Sequence, residues 1–140
     1  MSADPSLDHQ ILELMRKFML DMRDAWTGGC TRLGISAPAA HVMTMLEHGS
    51  HPMRDLAVAL NIDASYVTAL VDSLESSGFA VRRADPKDRR VRVIEITERG
   101  RQALHDLFED LAASNVLLSR LSLAERRDLR DLLARCLEPG

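Results

Sequence analysis

The stretch from residue 65 to residue 96 constrains the fold of this chain more than any other part of the sequence. In its first half, SYVTALVDSLESSG, apolar side chains recur at positions i, i+3, i+4 and i+7, which is the spacing of one helical face. These residues are Val67, Leu70, Val71 and Leu74. The opposite face carries short, hydroxyl-bearing side chains in place of the Lys and Glu typical of a solvated helix. We expect a helix that lies close against another surface, and an ordinary surface helix is the simpler alternative.

The second half of this stretch predicts a β-hairpin with a charged tip. Gly78 follows the helix, at a position where a positive φ angle is usual. Two runs with the composition of short strands, residues 79–83 and 91–96, flank the segment ADPKDRR. That segment combines turn-forming residues with several charges, so we interpret it as the hairpin loop.

The residues before this stretch predict a helix-turn-helix. A short helix is expected over residues 53–60, where Asn61 can take the left-handed conformation that ends it and Asp63 can cap the next helix. Two short helices joined by a turn of three or four residues form this motif. An earlier helix is expected from a Ser36 cap to about residue 48, and residues 48–52 are expected to form a turn.

Several motifs in this region resemble the signature of the multiple-antibiotic-resistance regulator (MarR) family. They are LE at 74–75 with Gly78, Arg83, DPKDRR at 85–90 and ITERG at 96–100. The resemblance covers nearly the whole chain, because its length and flanking helices also fit. It implies a mainly α fold with a small β-hairpin wing, in which residues 36–100 form a winged helix-turn-helix that binds DNA.

The flanking segments predict helices with large apolar faces. Residues 7–26 have helical periodicity and are expected to end at Gly28–Gly29. Thr97 can cap a helix that reaches about residue 115, and Ser122 with Glu125 forms a capping box for the last helix. The resemblance implies that segments 7–28 and 101–137 interleave with their copies in a second subunit, so that residues 1–140 form one domain of a homodimer.

Charge is distributed unevenly along the chain. The net charge is −3, which alone argues against a nucleic-acid partner. Residues 79–101, however, contain eight basic and four acidic residues, whereas the rest of the chain contains ten basic and seventeen acidic ones. This segregation is typical of a protein that contacts DNA phosphates along one edge.

The candidate base contacts lie in the first turns of the helix that follows Asp63. They are Ser65, Tyr66, Thr68 and Ala69. Hydroxyl groups can bond to several bases, and a methyl group can meet a thymine methyl. The helix contains no Arg or Lys, so the strong bidentate contact to guanine is not available.

The wing is therefore expected to supply most of the electrostatic attraction. The resemblance implies that Asp88 and Arg90 act as a unit, in which the carboxylate orients the guanidinium toward a narrow, A·T-rich minor groove. The alternative is that this pair only braces the hairpin turn. The candidate phosphate contacts are Arg82, Arg83, Lys87 and Arg89. The expected target is a pseudo-palindromic operator in double-stranded DNA, and repression of transcription is the output that the family implies.

Enzymatic activity is not expected. The sequence has no phosphate-binding Gly loop, no Gly-x-Ser-x-Gly elbow and no His-Glu-x-x-His pair. No cofactor is expected either. There is no apolar run of 18 residues, and Asp4 and Asp8 lie where a signal peptide would be basic, so we expect a cytoplasmic protein.

Three other functions stay open on the sequence alone. A metal sensor could use His105 and Glu109, one helical turn apart, with Asp24, Cys30 and His41, although no metal site is predicted. A redox sensor could use Cys30, expected in an exposed loop, whereas Cys136 is expected in the core. A winged helix that binds only protein is the third.

A small-molecule effector is the family's commonest implication. The resemblance places its pocket where the dimer helices meet the winged domain. The candidate lining residues are Phe18, Met22 and Trp26.

Overall fold

A computed structural model describes residues 4–138 of the chain. The helices are α1 (Pro5–Arg32), α2 (Ala37–Leu46), α3 (Met53–Leu60), α4 (Ala64–Ser76), α5 (Glu98–Ser114), α6 (Val116–Ser119) and α7 (Leu123–Leu137). The strands are β1 (His51–Pro52), β2 (Ala80–Ala84) and β3 (Arg92–Ile96). The predicted fold, mainly α with a small β wing, is confirmed.

Local capping chemistry sets most of the helix ends. The side chain of Ser36 accepts a hydrogen bond from the Ala39 N–H at 3.2 Å, and Thr97 accepts from Gly100 at 3.0 Å. Ser122 and Glu125 form the predicted capping box of α7. These caps depend only on residues within one turn, which is why the sequence predicts them well.

The turn within the helix-turn-helix is also as predicted. Asn61 ends α3 with a φ angle of +52°, and Gly78 leaves α4 with a φ angle of +75°. Helices α3 and α4 lie at 111° to each other, within the usual range for this motif.

The first helix is longer than predicted. It continues through Gly28–Gly29 and ends at Arg32. Gly34, two residues later, has a φ angle of +75°. The reason is packing, because a Cβ atom on Gly29 would collide with the side chain of Leu107 on α5. Gly29 thus allows α1 and α5 to approach closely, and it does not end α1.

The sheet has a third strand that was not predicted. Residues 48–52 were expected to form only a turn, but His51 pairs with Ile94 and Pro52 pairs with Val93. The strand order is β1-β3-β2, with all neighbours antiparallel. Strand β2 follows α4 after a three-residue connection, and the β2–β3 tip lies at the opposite end of β2 from that connection.

The C-terminal part contains one short helix that was not predicted. Helix α5 ends at Ser114, as expected, and Asn115 then caps the short helix α6 before α7 begins. An Asn before the apolar run VLL is a recognisable cap signal for this helix.

The core lies beneath the helix-turn-helix. The largest fully buried side chains come from α2, α3, α4, β3 and α5, and they include Met43, Leu46, Leu56, Leu74, Ile94 and Leu104. This packing fixes α4 against the sheet with its opposite face exposed. Among residues 4–138, no single helix is long and apolar enough to cross a membrane, although the bent pair α3 and α4 passes that test by length and composition.

Candidate nucleic-acid interface

Helix α4 presents the four predicted base contacts to solvent. The side chains of Ser65, Tyr66, Thr68 and Ala69 are exposed. The four apolar residues of the opposite face, beginning with Val67, are buried as the periodicity predicts. The burial of one face therefore determines which residues are available to a partner.

Hydrogen bonds at the start of α4 orient the hydroxyl groups of Ser65 and Thr68. The Asp63 carboxylate caps the helix by accepting from the Tyr66 N–H at 2.9 Å, and it also accepts from the Ser65 hydroxyl. These bonds, led by that of Ser65, lower the pKa of the Asp63 carboxyl group. The Thr68 hydroxyl donates to the Ala64 carbonyl oxygen at 3.0 Å. Both hydroxyl protons are thus used internally, which leaves oxygen lone pairs facing outward.

Backbone contacts hold the tip of the wing. The Asp85 carboxylate accepts from the Lys87 N–H at 2.9 Å, and the Asp88 carboxylate accepts from the Arg90 N–H at 3.1 Å. The Val91 N–H donates to the Asp88 carbonyl oxygen at 2.9 Å. Asp88 therefore braces the turn through the backbone of Arg90, not through its guanidinium. The DNA contact of Arg90 stays a prediction.

The basic side chains of the hairpin fall into two sets. Those of Lys87, Arg89, Arg90 and Arg92 are exposed, and none of the ion pairs within residues 4–138 includes them. Arg83 pairs instead with Glu95 of β3, with 2.9 Å between Nε and Oε2. Arg82 also has partners, Asp72 and Glu75 of α4. The sequence shows where the arginines are but not which of them have carboxylate partners.

An apolar cavity lies between α1, α5 and α6. It has a volume of about 400 Å³. Its lining comprises Met19, Met22, Arg23, Trp26, Phe108, Leu111, Ala112, Asn115 and Leu118. Met22 and Trp26 line this cavity, and their role in binding an effector stays a prediction. Phe18 is not part of the lining, and its side chain is 40% exposed.

The other seven lining residues were not among the sequence candidates, and two of them make specific contacts inside the cavity. The ring of Phe108 lies 5.6 Å from that of Trp26, centroid to centroid. Asn115 uses its side-chain oxygen to accept from the Leu118 N–H at 2.9 Å, so its amide nitrogen points to the sulfur of Met22. Phe108 lies on the apolar stripe of α5, and the N-cap of α6 is the only local signal for Asn115.

A second cavity lies on another side of Trp26, toward α4. It also has a volume of about 400 Å³. Its lining comprises Trp26, Ala37, Pro38, His41, Leu60, Ile62 and Tyr66. Tyr66 thus borders a cavity as well as the exposed face of α4.

Both cysteine predictions were wrong for the single chain. Cys30 lies within α1 and is 1% exposed, since the helix continues past the glycines. Burial raises the pKa of the Cys30 thiol. Cys136 was expected in the core but is exposed on α7.

The residues considered for a metal do not converge. His41, His105 and Glu109 are exposed. Within residues 4–138, no group of three His, Cys, Asp or Glu side chains is placed to hold a metal ion. Nothing in this arrangement therefore supports the metal-sensor alternative.

The helix-turn-helix, the short-chained face of α4 and the adjacent basic hairpin define a winged helix-turn-helix protein. A sequence profile described as the MarR family matches residues 35–91. The HTH-type transcriptional regulator MhqR of Bacillus subtilis is 33% identical over 104 residues, which cover 73% of this chain and 72% of MhqR. The chain belongs to the MarR family of transcriptional regulators.

Other similar proteins agree with this assignment. YdgJ of Bacillus subtilis, an uncharacterized HTH-type transcriptional regulator, is 34% identical over 108 residues, which cover 76% of this chain but 65% of YdgJ. The MarR resemblance is thus confirmed, and since the family consists of transcriptional regulators, so is the prediction that the chain is not an enzyme.

Solved structures share the fold over nearly the whole chain. CouR from Rhodococcus jostii RHA1, bound to p-coumaroyl-CoA, is 26% identical, covers 96% of both chains and has a TM-score of 0.68. Tm0710 from Thermotoga maritima reaches a TM-score of 0.75 at 22% identity, with 91% of this chain and 92% of that chain covered. The apo form of MarR from E. coli has a TM-score of 0.70 at 20% identity, with 90% and 95% covered.

Proposed function

We propose that the protein is a homodimeric repressor that binds a pseudo-palindromic DNA operator with two α4 helices and two wings. The observation that carries this proposal is the exposed short-chained face of α4 together with the neighbouring basic hairpin, whose tip is braced by hydrogen bonds from the Lys87 and Arg90 N–H groups. A helix with such a face fits the major groove, while the tip reaches the adjacent minor groove.

Hydrogen bonding on α4 suggests which bases it contacts. Because Ser65 and Thr68 use their protons internally, they offer acceptors to the amino groups of adenine N6 or cytosine N4. Ala69 offers a methyl group to thymine. With no Arg or Lys on α4, we expect weak discrimination in favour of guanine in the half-sites.

The wing supplies the phosphate and minor-groove contacts. Lys87, Arg89 and Arg90 are exposed and have no ion-pair partner within the described part of the chain. The narrow minor groove of A·T-rich DNA attracts such arginines. Each phosphate neutralised releases counterions, so binding should weaken steeply with salt.

The test is fluorescence anisotropy with DNA from upstream of the gene and with a scrambled duplex of equal length, in a salt series. We expect tight binding to the upstream DNA, weaker binding to the scrambled duplex and a steep loss of affinity with added salt. If neither duplex binds at low salt, the DNA-binding proposal is wrong, and a winged helix that binds only protein becomes the better account.

A small-molecule effector is supported by the cavity beside Trp26. Its lining is almost entirely apolar, with the amide of Asn115 inside and Arg23 at the edge, which suits an apolar ligand with one polar or anionic group. CouR, a solved structure with the same fold, holds p-coumaroyl-CoA. A ligand here would release DNA by changing how α1 and α5 pack beside the winged part.

Trp26 is the only tryptophan in the sequence, so its fluorescence reports on both cavities that it lines, and Asn115, which lines only the first, distinguishes them. We expect aromatic carboxylic acids and their thioesters to quench it and to release DNA over the same concentration range. The variant Asn115→Ala should weaken both effects equally. Release of DNA without any change in Trp26 fluorescence would place the effector elsewhere, and release by zinc or peroxide alone would favour the metal or redox alternatives.

A further inference from the structure

Arg82 joins the wing to the helix that would read the DNA bases. Its Nη2 lies 2.7 Å from Asp72 Oδ1, and its Nη1 lies 3.0 Å from Glu75 Oε1. Asp72 and Glu75 are three residues apart on α4, whereas Arg82 is in the middle of β2, opposite Ile94. One guanidinium therefore spans two carboxylates on a neighbouring element, which its fork of donors allows.

Arg82 and Glu75 are the partly buried members of this cluster, whereas the Asp72 side chain is 61% exposed. The Glu75 Oε1 atom is buried and has no hydrogen-bond partner, so its 3.0 Å contact with Arg82 is a charge pairing without hydrogen-bond alignment. The Arg82 side chain is 30% exposed, and its bond to Asp72 raises the pKa of the guanidinium further. Removing Arg82 would leave a buried carboxylate oxygen with no compensating charge.

This arrangement changes the role expected for Arg82. A phosphate contact would require the guanidinium to leave Asp72 and Glu75, and α4 would then present two uncompensated carboxylates next to DNA. Arg83, the next residue, points to Glu95 across the hairpin and is 64% exposed. The two adjacent arginines therefore have different roles. Arg82 connects β2 to α4, whereas Arg83 connects the two strands of the hairpin.

We propose that Arg82 is a positioning residue that fixes the wing relative to the recognition helix α4, so that major-groove and minor-groove contacts are made in register. The inference rests on the proposed DNA-binding function. Buried side chains of the sheet already pack against α4, and Arg82 adds a polar attachment outside that core, which sets the angle of the hairpin. Operator recognition needs that angle, whereas attraction to any DNA needs only the charges.

The test compares Arg82→Ala with the control Arg120→Ala, which removes an exposed arginine from the end of α6, outside the winged part. Each variant is measured on operator and on scrambled duplex in a salt series. We expect Arg82→Ala to lower the ratio of operator to scrambled affinity roughly tenfold, within the range of couplings between contacting residues. Its salt slope should equal that of the wild type. Arg120→Ala should change the ratio less than threefold.

A phosphate contact gives the opposite pattern. Loss of one contact per subunit would reduce the salt slope of the dimer by about 2, since each phosphate contributes about 0.9. Affinity for both duplexes would then fall equally, and that result would overturn the proposal. Arg82→Lys, which keeps the charge but cannot span both carboxylates, should fall between Arg82→Ala and the wild type.

Asp72→Asn provides a second, milder variant in case Arg82→Ala folds poorly. It should lower the same ratio of operator to scrambled affinity. The double variant Asp72→Asn with Arg82→Lys should lower that ratio by less than the two single effects combined, because both substitutions act on one contact. Strict additivity would contradict the proposal. If wild-type protein binds no DNA, the proposed function fails; if it binds specifically and Arg82→Ala does so equally well, only this inference fails.

Discussion

Gly100 lies in the first turn of α5, where that helix passes the end of α4. Its amide donates to the Thr97 cap, and the Thr97 hydroxyl donates to the Gly78 carbonyl oxygen at 2.6 Å. A Cβ atom at this position would collide with the backbone carbonyl of Phe79. The backbone cannot move aside as the end of a side chain can. A side chain at this position would therefore disturb the turn between α4 and the wing.

We therefore expect Gly100→Ala to lower the free energy of unfolding by about 1–3 kcal/mol, as overpacking does. The control is Gly28→Ala, where the nearest atom to an added Cβ lies 3.7 Å away and a gain of up to about 1 kcal/mol is expected. Urea denaturation followed by circular dichroism measures both. Equal stability of Gly100→Ala and the wild type would contradict the close contact.

Cys30 is the residue whose environment differs most from its sequence-based prediction. The pair Gly28–Gly29 looks like a helix end, but whether a glycine ends a helix or admits a neighbouring one depends on Leu107, which is 78 positions away in the chain. Sequence periodicity carries no information on that contact. The same distance explains why the burial of Cys30 was not predicted.

The buried thiol of Cys30 should react slowly with a disulfide reagent. Its raised pKa means that less thiolate, the reactive form, is present at a given pH, and burial also limits access. In a Cys136→Ser background at pH 8, modification should follow unfolding by urea. Rapid modification of the folded protein would instead support a redox role for Cys30.

At the scale of elements, the sequence predicted the features that depend on neighbouring residues and missed those that depend on pairing between distant parts of the chain. The caps at Ser36, Asp63 and Thr97 and the left-handed Asn61 depend on neighbouring residues, and the sequence predicts them. Strand β1 has two residues and exists because it pairs with β3, more than forty residues later. The pairing of Arg82 with α4 likewise depends on how a strand and a helix are packed together.

The wing is the element whose DNA contact is most directly testable. Arg90→Ala should reduce operator affinity by about 1–3 kcal/mol and should reduce the preference for A·T pairs at the wing position. The control is Arg120→Ala, which removes the same charge from the end of α6, outside the winged part. Anisotropy titration on operators with A·T or G·C pairs at that position measures both effects. Equal losses in the two variants would mean that Arg90 acts only through net charge.

At the scale of the whole molecule, α7 and most of α1 lie outside the buried core of the single chain. All of α7 lies within the described residues, and none of its side chains is buried. In α1, only Gly29 and Cys30 are buried. Large apolar residues exposed on these helices include Leu7, Ile11, Leu12, Leu14, Met15, Phe18, Met19, Leu132, Leu133 and Leu137. A surface of this kind is typical of an interface, and a second copy would also cover Cys136.

We expect the protein to sediment as a dimer at micromolar concentration. Leu133→Asp should convert it to a monomer with reduced helix content, because a charge would then lie in the interface. The control is Val58→Asp on α3, whose side chain is 81% exposed and lies outside α1 and α7. Analytical ultracentrifugation distinguishes the two. A monomeric wild type, or a dimeric Leu133→Asp variant, would contradict the proposed interface.

Footprinting on an operator selected from a random duplex library tests the central proposal most directly. A dimer with two α4 helices and two wings should protect two major-groove segments about one helical turn, roughly 34 Å, apart, with protected minor grooves flanking them. Dimethyl sulfate reads the major-groove positions and hydroxyl radicals read the minor groove. We predict two symmetric half-sites with A·T-rich flanks. A single protected segment, or selection that yields no common sequence, would contradict the account.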